Sequence, residues 1–261
     1  MKVTIIGAGN MGGAIARGLA KGSLVSASDI TCAERNRDIL NNLKVVIPSV
    51  NVSFDNAEAV KGSDIVIIAV KPWIVEAVVN EIKLSLDFDK QMVVSIAAGV
   101  TFDQLHGFFG TDKVSLFRVI PNTAIDVLNS MTFVSANPNA TKEQTDTVVS
   151  IFNELGCAML IEERLMAAGT SLASCGIAFA MRYIRAAIEG GVELGFYPSQ
   201  AQDIVLNTVK GAAELLLANG TNPEVEIDKV TTPGGITIKG LNEMEHAGFT
   251  SAVIKGLKAS R

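Results

Sequence analysis

The sequence has few of the residues that build metal centres, disulfide frameworks or histidine-based active sites. Its 261 residues include three cysteines and two histidines. Cys32, Cys157 and Cys175 show no metal-ligand spacing, and their odd number forms no closed disulfide framework, so we expect reduced and mostly buried thiols. His106 and His246 lack the Asp and Ser partners of a catalytic triad. These absences predict a cytoplasmic protein without a metal site.

The sequence also lacks an excess of basic residues and a clear membrane segment. Lysine and arginine number 22 against 27 acidic residues, a net charge of -5, which argues against nucleic acid as a partner. A strand pattern follows Met1 almost at once, so we expect no signal peptide. The longest uncharged run, Leu165 to Met181, only reaches the lower limit of a membrane span, ~17–25 residues. Because it contains hydroxyl groups and glycines, we expect a close-packed buried helix and no membrane partner.

A glycine-rich turn near the start carries the first functional pattern. The apolar run Lys2–Ile6 is followed by glycines at Gly7, Gly9 and Gly12 and then by an Ala-rich helix pattern. In G-x-G-x-x-G the first glycine allows the tight turn, the second lets the backbone approach a pyrophosphate, and the third lets helix and strand pack closely. Strand, turn and helix in this order predict dinucleotide binding at the helix N-terminus.

The second strand pattern bears on the choice of cofactor. The run Asp29–Ala33 ends at Glu34 and Arg35, where the second ribose of a dinucleotide is expected. An acidic side chain there binds the 2′-OH of NAD, whereas an arginine binds the 2′-phosphate of NADP. We favour NADPH through Arg35, and NADH stays possible.

Further strands alternate with helix-like stretches through the first half of the chain. The apolar strand in Ser63–Trp73 ends at Lys71, on the carboxyl edge where doubly wound sheets bind ligands. The other strand patterns are Gln91–Val100, Lys113–Asn122, Met131–Ala136 and Cys157–Ile161, and helix patterns cover Thr101–Phe108 and Lys142–Leu155. This alternation predicts an α/β fold, a doubly wound Rossmann-type sheet over residues 1–161, with the direction of the last strands left open.

The second half, residues 162–261, has only helical patterns. One long helical region spans Glu162 to Gly195, and Pro198 restarts a helix with Ser199 as its expected N-cap. Later patterns predict a helix end at Asn219-Gly220 and helices around Thr237–His246 and on to about Leu257. Apolar residues cover more than one face of several helices, so we expect burial against a second copy, in a homodimer or higher homo-oligomer.

Five short motifs in order give the chain a family resemblance. They are GAGNMG from Gly7, AVKP at Ala69–Pro72, SIAAGV at Ser95–Val100, PNT at Pro121–Thr123 and TTPGG at Thr231–Gly235. With them the chain resembles the Δ1-pyrroline-5-carboxylate reductases over nearly its whole length. The resemblance implies reduction of the C=N bond of 1-pyrroline-5-carboxylate to L-proline by NADPH or NADH, the last step of proline biosynthesis. It also implies oligomers built on an all-helical dimerisation domain.

The resemblance also implies the residues of the site. The cofactor contacts are expected at Gly7, Gly9, Asn10, Met11, Gly12, Arg35, Asn56, Ala69, Val70, Lys71, Ala97 and Ala98. The substrate contacts are expected at Asn122, Thr232, Gly234 and Gly235, with Thr237 as the catalytic residue.

The TTPGG segment suits a small ring that carries one carboxylate and one C=N bond. A Pro-Gly-Gly turn before a helix presents free N–H groups that bind a carboxylate without a cation. Thr232 adds a hydroxyl donor, and the Thr237 hydroxyl can hydrogen-bond the imine nitrogen. Because a threonine hydroxyl does not titrate near neutrality, we expect Thr237 to orient the substrate more than to protonate it.

Two departures from the family pattern keep alternatives open. The family usually reads PNTPA where this chain has Ala124 and Ile125 after PNT, and SGSGPA where this chain has ASCGIA, with Cys175 and Ile177. A related imine reductase with a different cyclic substrate is therefore one alternative. The other is a non-catalytic NADP-binding protein, which the intact carboxylate-binding residues disfavour.

Overall fold

A computed structural model of the chain describes residues 1–260. They form two compact units, Met1–Ser174 and the residues from Cys175 onward.

The first unit is built on one eight-stranded sheet. Its strands are β1 (Val3–Ile6), β2 (Ile30–Ala33), β3 (Asn51–Ser53), β4 (Ile65–Ile68), β5 (Met92–Ser95), β6 (Ser115–Ile120), β7 (Ser130–Ala136) and β8 (Gly156–Leu160). The strand order is β3-β2-β1-β4-β5-β6-β7-β8, and neighbouring strands are parallel except β6 and β7. The predicted doubly wound sheet is confirmed, and the open question of the last strands is answered: β7 reverses, and β8 runs parallel to it.

Helices cover both faces of this sheet. They are α1 (Asn10–Leu19), α2 (Arg37–Val46), α3 (Asn56–Ala59), α4 (Val75–Ile82), α5 (Phe102–Phe109), α6 (Lys142–Asn153) and α7 (Met166–Gly169). Alternate residues of β4 point to opposite faces, so Ile65 and Ile67 join one apolar cluster while Val66 and Ile68 join another. The first cluster contains buried residues of α1, α2 and α6, and the second contains those of α4 and α5. The continuous apolar runs in the sequence result from this burial on both sides.

The long helical region begins inside the first unit. It comprises a 3-10 turn (Glu163–Leu165), α7, a π-helical turn (Thr170–Cys175) and α8 (Gly176–Glu193). Met166 and Ala173 pack with Ile120 and Phe133 in a third apolar cluster. The compact units therefore divide after Ser174, and the predicted domains 1–161 and 162–261 stay a prediction.

The second unit is helical throughout its described residues. After α8 come α9 (Pro198–Asn219), α10 (Pro223–Val230), α11 (Ile236–His246) and α12 (Phe249–Ala259). The prediction of Ser199 as N-cap is wrong: Tyr197 is the cap and Pro198 is the first helical residue, a position where its missing N–H costs nothing. The sequence patterns also missed α10, although Asn222 caps it by accepting a hydrogen bond from the Glu224 N–H.

This unit leaves its apolar side chains largely uncovered. Ala201 is its one buried apolar residue among those described, while Leu194, Leu217 and Ile236 are each more than four-fifths exposed, at 83%, 83% and 86%. The expected close-packed burial of the Leu165–Met181 stretch is wrong for the single chain, since Leu172 is 64% and Met181 56% exposed. By length and composition the helix Glu163–Glu193 could cross a membrane, with 17% of its apolar window buried. Exposed apolar surface of this kind marks sites of interaction with a protein or a membrane.

The cysteines also differ from expectation. All three are free thiols, but Cys32 alone is buried, Cys157 is exposed and Cys175 is partly exposed. The expectation of mostly buried thiols is therefore wrong for two of them. Burial raises the pKa of the Cys32 thiol to about 12, because an apolar surrounding disfavours the thiolate.

Candidate active site

The glycine-rich turn links β1 to α1 at the carboxyl edge of the sheet. Gly7 has φ +91°, a left-handed conformation that glycine adopts without strain, and its N–H donates to the Ala33 carbonyl at 2.8 Å. A Cβ built on Gly12 would lie 1.9 Å from the Gly7 carbonyl oxygen. A Cβ built on Gly9 would meet nothing within 4 Å. Gly12 is therefore required for helix–strand packing, whereas Gly9 leaves the backbone open to a ligand.

The N-terminus of α1 has the properties of an anion site. Gly9 is its N-cap, no side chain caps it, and its first turn has no acidic residue. The first N–H groups of a helix lack partners within the helix, and the helix dipole favours negative charge at this end. A phosphate group of a dinucleotide fits this arrangement.

A cavity of about 720 Å³ extends from this turn along the carboxyl ends of the parallel strands. Its size lies within the range of small-molecule and cofactor sites, and it lies where β2 and β4 flank β1, the usual ligand crevice of such sheets. Eleven of the twelve expected cofactor residues line it: Gly7, Gly9, Asn10, Met11, Arg35, Asn56, Ala69, Val70, Lys71, Ala97 and Ala98. The twelfth, Gly12, is buried behind the turn. The structure thus brings the expected residues together, and their contacts with a cofactor stay a prediction.

Asn122 is placed beside the cavity rather than on its wall. Its neighbours Pro121 and Thr123 line the cavity, while Asn122 is 8% exposed. Its side-chain oxygen accepts from the Ala124 N–H at 3.0 Å and caps a 3-10 turn, and its own N–H donates to Ser130 Oγ at 3.0 Å. The residue at 124 thus supplies a donor that a proline would lack. The Ala124 N–H therefore holds the Asn122 side chain in place through this hydrogen bond. A substrate contact by Asn122 stays a prediction.

The π-helical turn Thr170–Cys175 forms another part of the cavity wall. Thr170 and Ser174 line the cavity, and Ser174 Oγ donates to the Pro121 carbonyl at 3.0 Å. Single π turns inside α-helices occur frequently at functional sites. The sequence patterns missed these two residues, since a π turn has no sequence signature comparable to a glycine turn. Cys175 follows Ser174 but does not line the cavity.

The end of the cavity near β2 holds a group of charged and polar side chains. Glu34 Oε1 accepts from the N–H groups of Arg35 at 2.8 Å and Asn36 at 3.2 Å. The Arg35 guanidinium pairs with Glu81 of α4, and Asn56 Nδ2 donates to the same carboxylate at 2.7 Å. Glu81 also lines the cavity, and no sequence pattern pointed to it.

The TTPGG segment forms a tight turn at the start of α11, in the second unit. The Gly235 N–H donates to the Thr232 carbonyl at 2.9 Å, and Gly234 has φ +72°. Pro233 before a glycine of positive φ is the arrangement of a type II turn. No side chain among residues 1–260 caps α11, and Thr232 and Thr237 are exposed. The turn therefore presents free N–H groups beside the two hydroxyls.

Among residues 1–260, no cluster of three or more His, Cys, Asp and Glu side chains is placed to hold a metal ion.

Two family models match the chain. One, described as pyrroline-5-carboxylate reductase dimerisation, matches residues 163–261. The other, described as NADP oxidoreductase, coenzyme F420-dependent, matches residues 2–99. They cover the start and the end of the chain, and the first matches the helical part.

Individual relatives agree with these models. Pyrroline-5-carboxylate reductase 1 of Dictyostelium discoideum is 39% identical over 99% of this chain, which spans about half, 48%, of that relative's length. Pyrroline-5-carboxylate reductase 2 of the same organism is 37% identical over 99% of this chain and 90% of the relative. The crystal structure of Plasmodium falciparum pyrroline carboxylate reductase with NADP bound superimposes with a TM-score of 0.89 at 26% identity, covering 100% of this chain and 95% of that one. Identity of this extent along the whole chain shows that it belongs to the pyrroline-5-carboxylate reductase family.

Proposed function

We propose that the chain reduces the C=N bond of 1-pyrroline-5-carboxylate to L-proline with NADPH, and more weakly with NADH, as the last step of proline biosynthesis. The observation that carries this proposal is the cavity at the carboxyl edge of the sheet, lined by eleven of the twelve expected cofactor residues, in a member of this family. A related imine reductase with a different ring, and a non-catalytic NADP-binding protein, become outcomes of the test below.

The residues present fit a dinucleotide. The open backbone at Gly9 and the uncapped N-terminus of α1 accept the pyrophosphate, because a Cβ at Gly9 would project into free space where a phosphate has to approach. Arg35 and Asn56 offer donors to the 2′-phosphate of NADPH. When bound, the reduced nicotinamide supplies a hydride to the carbon of the C=N bond.

The second part of the proposal concerns the substrate. The first N–H groups of α11, with the Thr232 hydroxyl, bind the substrate carboxylate, and Gly234 and Gly235 allow its close approach. The Thr237 hydroxyl donates a hydrogen bond to the ring nitrogen or holds the nitrogen-bound proton in place. Thr237 thus orients the C=N bond, and most of the rate enhancement comes from holding the reactants together.

The assembly and location complete the proposal. The helical unit is a family dimerisation domain with uncovered apolar side chains, so the chain works as a homo-oligomer whose copies bury these faces against one another. A second copy, rather than a membrane or a nucleic acid, covers the long helix, because Arg182, Arg185 and Glu189 follow its uncharged stretch and the net charge is -5. Free thiols in all three cysteines suit a reducing, cytoplasmic location.

The test is a spectrophotometric assay with purified protein. NADPH is mixed with 1-pyrroline-5-carboxylate, and oxidation of the cofactor is followed, with NADH in parallel and a piperideine carboxylate as the larger-ring control. Oxidation with the pyrroline and formation of proline support the proposal. Turnover of the larger ring alone would favour the related imine reductase, and NADPH binding without any turnover would favour the non-catalytic protein.

A further inference from the structure

One carboxylate, on Glu81, binds two of the side chains that are expected to contact the cofactor: Arg35, expected at the second ribose, and Asn56. Its Oε1 pairs with the Arg35 guanidinium, and its Oε2 accepts from Asn56 Nδ2 at 2.7 Å. Glu81 is the last residue but one of α4, and Arg35 and Asn56 lie 46 and 25 positions away in sequence. The arrangement is therefore tertiary, and its geometry is that of an anion held by a guanidinium and an amide.

The second carboxylate at this end of the cavity is differently engaged. Glu34 Oε1 accepts from the backbone N–H groups of Arg35 and Asn36, at 2.8 and 3.2 Å. Glu34 therefore stabilises the turn after β2, whereas Glu81 binds the side chains of Arg35 and Asn56. The Arg35 side chain is 76% exposed and that of Glu81 is 37% exposed, so solvent and ligand can reach the pair.

We propose that Glu81 is a specificity-determining residue for the cofactor: its carboxylate occupies the place of an anion between Arg35 and Asn56 and so lowers the preference for NADPH over NADH. This inference rests on the proposed function only for the identity of the ligand. A 2′-phosphate must take donors from Glu81 and approach its negative charge. A dinucleotide with a free 2′-OH leaves the Arg35–Glu81 pair intact.

The physical consequence is a cost that only phosphorylated ligands meet. A phosphate monoester carries about −1.5 to −2 charges at neutral pH, so a neighbouring carboxylate repels it. Arginine has five donors in a planar fork, and Glu81 binds one of its nitrogens, Nη2, so a phosphate has to share the guanidinium with this carboxylate or displace it. Removing the charge of Glu81 while keeping its shape should therefore strengthen binding of 2′-phosphorylated ligands alone.

The experiment compares Glu81→Gln with the wild-type protein by calorimetric titration. The probes are adenosine 2′,5′-bisphosphate and adenosine 5′-monophosphate, which differ only in the 2′-phosphate, and NADP+ and NAD+ follow as the full cofactors. Glu76→Gln is the matched control, because Glu76 is an exposed residue of the same helix, has the same charge and does not line the cavity. Thermal unfolding checks that both variants are folded.

We expect Glu81→Gln to bind adenosine 2′,5′-bisphosphate and NADP+ with a Kd about tenfold lower than that of the wild type. Its Kd values for adenosine 5′-monophosphate and NAD+ should stay within about twofold of the wild-type values. Glu76→Gln should bind all four ligands like the wild type. The inference would be overturned if the Kd values changed equally for ligands with and without the 2′-phosphate, or if none changed. Weaker binding of the bisphosphate would also overturn it, because Glu81 would then only hold Arg35 in place. The titration does not depend on turnover. If the wild type binds these probes but does not reduce 1-pyrroline-5-carboxylate, the proposed function is contradicted and the role of Glu81 is not. If the wild type binds none of the probes, the proposed function and the role of Glu81 are both contradicted.

Discussion

Two glycines of the turn after β1, Gly9 and Gly12, should respond differently to substitution by alanine. In Gly12→Ala the new methyl group would lie 1.9 Å from the Gly7 carbonyl oxygen and 3.0 Å from the Ala69 Cβ. In Gly9→Ala it would meet nothing within 4 Å, and Gly9 has φ −65°, which alanine adopts readily. The first variant should therefore lose stability, and the second should lose affinity for the cofactor.

The size of each effect follows from the contacts. Alanine gains ~1 kcal/mol over glycine inside a helix, but overpacking a tight site costs ~1–3 kcal/mol. The cost at Gly12 lies at or above the upper end, because the opposing atom belongs to the backbone and cannot rotate away. We expect a net loss of about 2 kcal/mol in the free energy of unfolding, which at ~2–4 °C per kcal/mol lowers the Tm by ~4–8 °C. Gly9→Ala should change stability by less than ~1 kcal/mol.

The affinity loss at Gly9 comes from the approach of the pyrophosphate. A methyl group there keeps a phosphate from the N–H groups of α1, and each lost hydrogen bond to a charged group is worth ~1.5–3 kcal/mol. This predicts a Kd for NADP+ raised by ~10- to 100-fold. Thermal unfolding without ligand and fluorescence titration with NADP+ measure the two effects separately. The reasoning is refuted by a Gly12→Ala protein as stable as the wild type, or by a Gly9→Ala protein with unchanged affinity for NADP+.

Three further predictions concern other parts of the chain. Thr237→Ala should lower kcat roughly 10²-fold while Thr237→Ser retains most of it, and steady-state kinetics with an unchanged kcat would remove Thr237 from the mechanism. Glu163→Gln should lower the free energy of unfolding in urea by ~1–3 kcal/mol, because Glu163 pairs at 2.8 Å with the Arg118 side chain, which is only 8% exposed. The control Glu162→Gln should change this free energy by less than ~0.5 kcal/mol, because its partner, Arg164, is exposed. Equal effects of the two substitutions would contradict this reasoning. Iodoacetamide at pH 8 should leave Cys32 unlabelled until denaturant is added, because burial raises the pKa of its thiol to about 12 and thiolate is scarce; labelling of the folded protein, seen by peptide mass spectrometry, would contradict it.

The parts of the site that sequence patterns predicted are those that a few consecutive residues determine. The turn from Gly7 to Gly12 can be predicted because Gly7 and Gly12 meet steric demands within a single strand–turn–helix unit. The turn before α11 is equally local, since Pro233 precedes Gly234, whose φ of +72° is the one a type II turn requires. A local pattern can also mislead: it favours Ser199 as the N-cap, whereas Tyr197 is the cap and Pro198 the first helical residue.

Other features could not be predicted because they join distant segments. Glu81 shows no pattern in its own helix, and it acquires a role only when the fold brings it to Arg35 and Asn56. The hydrogen bond from the Ala124 N–H to the Asn122 side chain depends on the 3-10 turn formed after β6.

The amino-acid sequence is enough to predict the alternation of strands and helices, the dinucleotide turn and the helical character of the second half. These features are predictable because backbone geometry, and burial on one or both faces, impose apolar periodicity and glycine positions. Only the folded chain reveals the reversal of β7, the π turn that lines the cavity, the exposure of the apolar helices and the carboxylate of Glu81 between Arg35 and Asn56. These depend on which distant side chains meet in space, and no short stretch of residues specifies that.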